Sequence, residues 1–348
     1  MFRLFFLVIA TSILFCKEAP RQTLLNMIGG EWVAKSVYTA AELDVAGHLL
    51  RGPKDVEELA QLTKTDTESL YRLLRLLSSV GVFCEGDNRT FTNTPSSELL
   101  AKDHPQSLRT LALFYSEEMS QSFERLTDCV KTGKPAFDLA FEQPVFSYFK
   151  KHPQAASRFN TAMREKSQSV IASCLKACDF SRFKTVYDIG GGMGHFVAAI
   201  LRAHPNVHGA LYELPEVVSA ARSSLETFVP RCTLISGDFF DKVPEQGDVY
   251  LLKSVLHDWT NEDALIILKN CHSAMSEKSK LIIIEPMMVA SNQKEYAKYM
   301  DVFMMAITGG SERTQDEFKI LLNQAGFTIE SITPTETEFY IIEACKRD

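Results

Sequence analysis

Paired metal-binding motifs, internal repeats and a basic surplus are all missing from this sequence, and each absence removes a class of function. The eight cysteines (Cys16, Cys84, Cys129, Cys174, Cys178, Cys232, Cys271 and Cys345) form no CxxC pair. No Cys/His set has zinc spacing either, so no metal is expected. Cys174 and Cys178 lie four apart in a stretch that reads as helical, and they are expected to be buried as small hydrophobes. Reduced thiols fit a cytoplasmic protein. No repeat or low-complexity segment is visible. The formal net charge of -7 argues against a nucleic-acid partner, which usually meets a basic surface.

What is present begins with a conflict. Met1 to Cys16 reads MFRLFFLVIATSILFC, one arginine followed by an apolar run. It falls short of the roughly 20 residues that span a membrane. It resembles the core of a secretory signal, yet Phe15 before Cys16 suits neither a cleavage site nor a lipidation site. A weak anchor that leaves membrane contact open, or a start codon placed too far upstream, fits equally. Residues 1–18 are therefore set apart from the fold. The rest, with 45% hydrophobic and 23% charged residues over the whole chain, is globular in composition.

The pattern changes near residues 165–180, dividing the chain into a helical part, 19–165, and an α/β part, 166–348. In the first, Leu24 to Leu50 carries apolar residues at helical spacing. Asp55 and Asp66 precede two further helices, the second striped by Leu70, Leu73, Leu74, Leu77 and Val80 and stopped by Gly81. Val82-Phe83-Cys84 and Thr90-Phe91-Thr92, joined by a turn, read as a hairpin. Two short helices and a hairpin make a winged-helix-like unit. Arg72 and Arg75 lie on its second helix, but Glu68 precedes them and the surroundings are not basic. A structural or dimerising use is favoured over DNA binding.

In the second part, candidate strands at 185–189, 208–213, 232–236, 248–253 and 281–285 alternate with helical stretches, the rhythm of a parallel sheet. Two closing strands, 327–332 and 339–344, are joined by a link too short for a crossover helix and should be antiparallel. The first strand runs into Asp188-Ile189-Gly190-Gly191-Gly192-Met193-Gly194. Glycines let a backbone turn sharply and approach a ligand. An acid before them would repel a pyrophosphate, but it suits a ligand with an ammonium and a sulfonium. S-adenosylmethionine has both. Glu213, ending the second strand, can accept from ribose hydroxyls. Asp238 could hold the adenine amino group while Phe239 covers the ring, and Lys253 ends the fourth strand. These features all fall at the carboxyl ends of strands, where open α/β sheets bind ligands.

His257 follows the fourth strand in Leu256-His257-Asp258-Trp259, which puts it near the cofactor end of the sheet. Glu285 ends the fifth strand, and Glu312 lies in Thr308-Gly309-Gly310-Ser311-Glu312-Arg313-Thr314. A phenol is mostly neutral at pH 7, so a neutral imidazole could take its proton while the oxygen attacks a methyl carbon. A carboxylate on the other ring nitrogen would fix the tautomer.

Together these motifs resemble the caffeic-acid and acetylserotonin type of S-adenosylmethionine-dependent O-methyltransferase, from about Leu24 to the C-terminus. The resemblance implies a Rossmann-like class I methyltransferase sheet with an antiparallel C-terminal hairpin, preceded by a helical dimerisation domain. It implies His257 as general base flanked by Glu285 and Glu312. Gly190 and Gly192 of the glycine loop, Glu213, Asp238, Phe239 and Lys253 would line the cofactor, with Asp258 at the same end of the site. Ser167 matches a cofactor-contacting serine. Phe159, Asn160 and Met163 match a Phe-Asn-x-x-Met segment that lines the pocket of a small hydroxyl substrate. It also implies a homodimer that does not read DNA. Glu213 stands where aspartate is commoner, and Met193 where a small residue is usual. Rival readings are a non-methylating enzyme of this fold, a winged-helix regulator and an NAD-dependent dehydrogenase. The last is disfavoured by the glycine spacing and by the acid before it. Nitrogen or sulfur acceptors are compatible with the sequence.

Overall fold

The computed structural model describes residues 19–289, 292 and 294–347, so the apolar leader at 1–18 lies outside the described residues. The apolar spacing at 24–50 resolves into helices Pro20–Ile28, Gly30–Glu42 and Val45–Leu49. Strand β1 (Lys54–Asp55) leads into helix Val56–Thr63, where the Asp55 carboxylate accepts from Glu58 N–H at 2.7 Å. Asp66 caps helix Thr67–Ser79 in the same way, through Ser69 N–H at 2.8 Å. Leu70, Leu74 and Leu77 are buried as expected. Val80 departs from the stripe and is 49% exposed, because the helix ends at Ser79 and Gly81, with φ +80°, turns the chain away. Strands β2 (Phe83–Glu85) and β3 (Thr90–Asn93) form the expected hairpin, and β1 adds to it in the order β1-β3-β2.

The second half carries β4 (Thr185–Ile189), β5 (His208–Glu213), β6 (Cys232–Ser236), β7 (Val249–Lys253), β8 (Lys280–Met288), β9 (Arg313–Thr314), β10 (Phe327–Pro334) and β11 (Phe339–Lys346). The order is β10-β11-β8-β7-β4-β5-β6, with β9 pairing only to β8. Strands β6, β5, β4, β7 and β8 are parallel, and β11 and β10 are antiparallel. The chain leaves β4 toward β5 on one side and returns to β7 on the other. A crevice opens at that reversal, at the carboxyl ends of the strands. One boundary differs in a way that matters. Glu285 was expected to end its strand, but β8 continues through Pro286 to Met288, because Met287 and Met288 pair with Arg313 and Thr314.

Helix Pro153–Ala177 joins the halves without a linker, so the expected division at 165/166 falls inside it. Its first turns place Phe159 and Met163 against an aromatic cluster with Phe114, Phe149 and Phe303. Its last turns place Val170, Ile171 and Cys174 in the core beneath the sheet, with Phe180 and Phe196. Cys174 and Cys178 pack there as buried small residues, and burial pushes the Cys174 thiol up to about 12. No described helix is long and apolar enough to cross a membrane.

The first two helices leave Met27 70% and Trp32 68% exposed, beside Leu24 and Ile28. A contiguous apolar face of this kind marks a protein contact. The double substitution Met27→Glu, Trp32→Glu should convert a dimer to monomer in light scattering while the helical circular dichroism is kept. A wild-type monomer would refute the contact.

Candidate active site

The glycine loop starts where Gly190 N–H donates to Tyr212 O at 2.9 Å, extending the ladder one residue past β4. Gly190 has φ +67°, and a Cβ there would sit 3.1 Å from Val255 Cγ2 and 3.2 Å from Phe239. The loop is thus pressed against two neighbours of the crevice, and glycine is required both for conformation and for space. At Gly192 a Cβ would meet nothing within 4 Å, so the loop's outer side is open.

Asp188, expected to face a cationic ligand, lies beneath this loop at 1% exposure. It accepts from Val197 N–H at 3.3 Å, and its carboxylate fills the space where a side chain on Gly191 would go. Burial pushes its pKa up to about 7, opposed by the Lys253 ammonium. Glu213 is also committed to backbone, accepting from Gly192 N–H at 3.0 Å and Leu214 N–H at 2.9 Å. It ties the loop to the end of β5 and keeps further lone pairs for a ligand. Asp238 uses Oδ1 for Phe240 N–H at 2.9 Å and leaves Oδ2. Phe239 is wedged between Gly190, Phe240 and Trp259. Lys253 Nζ reaches Ser167 Oγ at 3.2 Å, which joins the sheet to helix Pro153–Ala177.

After β7 the chain turns at Ser254, a left-handed residue at φ +53°, into the single turn Leu256–Asp258. His257 is 6% exposed, and its Nδ1 lies 2.8 Å from Glu312 Oε1 and 3.5 Å from Glu285 Oε2. Its Nε2 has no hydrogen-bond partner among the described residues, Asp258 Oδ1 being 3.8 Å away. Glu285 Oε1 accepts from both Val255 N–H and Leu256 N–H at 2.9 Å, so this carboxylate fixes the turn that carries the histidine. The second oxygens of Glu285 and Glu312 are buried without hydrogen-bond partners. Burial pushes Glu312 up to about 8 and Asp258 up to about 6, the latter offset by His257. His257, Glu285 and Glu312 offer atoms within 4.8 Å of one another, a donor set that a cation could also use. Three features favour an orienting cluster: the hydrogen-bonded Nδ1, the two N–H donors already on Glu285, and the ring nitrogen left facing outward.

Two residues of the 308–314 segment had no role assigned from sequence. Arg313 is buried, and its guanidinium donates to Leu256 O at 2.8 Å, Trp259 O at 2.9 Å, Asn261 Oδ1 at 2.9 Å and Ser311 O at 3.3 Å. It staples the loop of His257 to the loop of Glu312. Gly310 lies so close that a Cβ would be 2.0 Å from His257 O. Asp301 Oδ1 receives Glu312 N–H at 3.0 Å and closes the frame. The one available signal was a charged residue directly after Glu312.

Phe159 and Met163 pack in the aromatic cluster of the helical half, and Asn160, beside Phe159, is half-buried. Phe159 stacks on Phe149 at 4.9 Å, and Phe146 stacks on Trp259 at 5.9 Å. Trp259 in turn meets Phe240 edge-on at 4.7 Å. An aromatic path therefore links the helical half to the cofactor side of the crevice. Met300 and Met304 are buried on helix Tyr296–Ile307.

Residues 123–328 match the O-methyltransferase domain family, and residues 25–103 match the O-methyltransferase dimerisation domain family. The chain is 40% identical to a phenazine O-methyltransferase of Lysobacter antibioticus, covering 92% of this chain and 95% of that one. It is 33% identical to a phenazine-1-carboxylate N-methyltransferase of Pseudomonas aeruginosa, over 94% and 98%. Among solved structures it is similar to human N-acetylserotonin methyltransferase in complex with S-adenosylmethionine. There the TM-score is 0.86 at 25% identity, covering 96% of this chain and 99% of that one.

Two predictions follow from the geometry. Arg313→Lys, which loses the planar fork, should lower kcat about 100-fold through misplacement of the histidine while cofactor affinity changes little. Unchanged kcat would refute the staple. Second, Glu312 at about 8 stands above its ordinary 4.5, so the folded chain holds a proton that the unfolded chain has released. Its stabilising contribution is complete below pH 4.5 and is lost as pH rises through 8. Glu312→Gln should flatten that part of the urea-midpoint profile, and an unaltered slope would reject the assignment.

Proposed function

The chain belongs to the S-adenosylmethionine-dependent O-methyltransferase family, and from that premise we propose that His257 is the general base for methylation of a hydroxyl on a small aromatic or apolar molecule. The observation that carries this is the buried 2.8 Å contact between His257 Nδ1 and Glu312 Oε1, with Nε2 left unpartnered. The base-competent form is the one with Glu312 ionised, which gains population as pH rises toward about 8: its carboxylate then accepts from Nδ1–H and so keeps the lone pair on Nε2. Glu285 Oε2, at 3.5 Å from the same nitrogen, adds negative potential that stabilises the imidazolium formed when the hydroxyl proton arrives. No separate base is needed.

S-adenosylmethionine supplies an electrophilic methyl group on a sulfonium. The residues fit it by donor chemistry: Asp238 Oδ2 for the adenine amino group, Phe239 for the ring face and Glu213 for ribose hydroxyls. Gly190 and Gly192 would allow its close approach. Ser167, Lys253 and Asp258 would line its amino-acid end, with Asp188 supplying negative potential from beneath the loop. Phe159, Asn160 and Met163 would hold the acceptor and exclude water. The aromatic walls suit a flat ring, in keeping with the phenazine-methylating relative.

We take residues 19–165 as the dimerising and acceptor-binding part and 166–348 as the cofactor-binding part, divided within one continuous helix. The winged-helix-like unit serves association. Arg75 and Arg89 both lie over the Tyr71 ring, and Arg89 pairs with Glu68. These contacts occupy Arg75 and Arg89 and leave Arg72 exposed on helix Thr67–Ser79. A cytoplasmic site of action is proposed from the thiols and from where the cofactor is made.

A second reading, nitrogen methylation, is favoured by the similarity to the N-methyltransferase. A ring nitrogen attacks with its own lone pair and needs no base. His257→Ala should lower methyl transfer about 100- to 10,000-fold while titration calorimetry still records S-adenosylmethionine binding. Asp188→Asn should weaken that binding at least tenfold. Full activity of His257→Ala would support a nitrogen acceptor and remove the base assignment.

A further inference from the structure

We propose that Lys166 is the recognition residue for a carboxylate carried by the acceptor, so that the substrates are hydroxylated aromatic acids. The proposal rests on the methyltransferase reading and deepens it.

Lys166 lies seven residues after Phe159 and three after Met163 in helix Pro153–Ala177, which puts all three on one face. That face is the acceptor wall. The ammonium is half-buried, and its contacts are unusual for a cation. Nζ lies 3.6 Å from the thioether of Met300 and 5.8 Å from the centre of the Tyr296 ring. A thioether is a weak acceptor, and an ammonium has three donors to satisfy. No carboxylate stands within ion-pair distance of it among the described residues. Holding a cation half out of water in such surroundings costs free energy unless a ligand completes them.

Its place relative to the chemistry is set by its charge. The ammonium favours the ionised forms of both Glu312 and Asp258, the groups on either side of His257. A cation present only to balance Glu312 would take the unpartnered Oε2 of that residue directly, and it does not. Its direct contacts are with another helix, although its charge also reaches Lys253 and Asp258 at the cofactor end. Ser167 and Lys253 bind each other there, whereas Met300 and Tyr296 belong to helix Tyr296–Ile307, the other acceptor wall. An anionic group brought beside His257 would be repelled by the ionised forms of Glu312, Glu285 and Asp258 unless a cation stood among them. A neutral phenol would need none. Lys166 therefore selects for an anionic substituent and, by holding it, aims the neighbouring hydroxyl toward His257 Nε2.

The test uses the full chain saturated with S-adenosylhomocysteine and matched ligand pairs: 3-hydroxy-2-naphthoate against its primary amide, and 3,4-dihydroxybenzoate against its amide. Calorimetry should show at least one acid bound tenfold or more tightly than its amide. Lys166→Met should abolish that preference, Lys166→Arg should keep it, and S-adenosylhomocysteine affinity should stay within twofold throughout. Equal binding of acid and amide, no binding of either acid, or a preference that survives Lys166→Met overturns the proposal. A tenfold loss of S-adenosylhomocysteine affinity in Lys166→Met also overturns it, by assigning the ammonium to the cofactor's own carboxylate. Failure of the wild type to bind S-adenosylhomocysteine would instead sink the methyltransferase reading, and the proposal with it.

Discussion

An ionised carboxylate in an apolar interior must find donors or lose its charge, and the site is organised around the way Glu285 meets that demand. Glu285 is buried in the sheet, and one of its oxygens takes two successive backbone N–H groups from the start of the histidine turn. Those donors belong to Val255 and Leu256, so the turn cannot move without leaving the carboxylate short of partners. The same bonds remove Glu285 from candidacy as the proton acceptor. They leave its other oxygen behind His257, where it acts through the field on an imidazole that is already oriented by Glu312.

The remaining acids divide by which oxygens the backbone leaves open. Asp188 and Glu213 are largely absorbed in holding the glycine loop, from beneath and from the end of β5. Asp238 gives one oxygen to Phe240 N–H, and Asp258 lies 3.8 Å from His257 Nε2. Carboxylates therefore serve as scaffold and as orienting group within a single site, and in the proposed reading as ligand contacts too. The assignment depends on hydrogen-bond geometry and not on position in a motif. Arg313 completes the frame with the opposite charge: its fork matches carbonyl oxygens on either side of His257 and holds the loops together.

Local features were legible in the sequence. Strands β4, β5 and β6 keep the limits read from apolar runs and turn signals, and the two aspartate caps sit at the expected helix starts. The glycine loop, the histidine and its two glutamates were also visible, because each lies in a short segment of distinct chemistry. What stayed hidden is long-range. The partners of Arg313 lie 57, 54 and 52 residues away along the chain, and no local pattern announces them. The extension of β8 past Glu285 depends on pairing with β9, two residues long and 25 or more positions later. Asp188 was read as a group facing a ligand, since a strand-end acid has that look in sequence. Its burial under Gly191 is a fact of packing.

Trp259 shows why cofactor geometry and acceptor choice are joined in this scaffold. Its carbonyl is held by Arg313, its ring stacks on Phe146 from the helical half, and its edge meets Phe239 and Phe240 beside the cofactor loop. Packed side chains transmit displacement because interiors have little free volume. Pressure on Phe146 would therefore reach Trp259, two positions after the proposed base, and the aromatic pair Phe239 and Phe240 beside the glycine loop. Substitutions in the acceptor wall can change ring size and charge preference without touching the base. In the proposed reading they are tolerable only while Trp259 keeps its place, because its carbonyl is tied to Arg313 and its ring to Phe146 and Phe240.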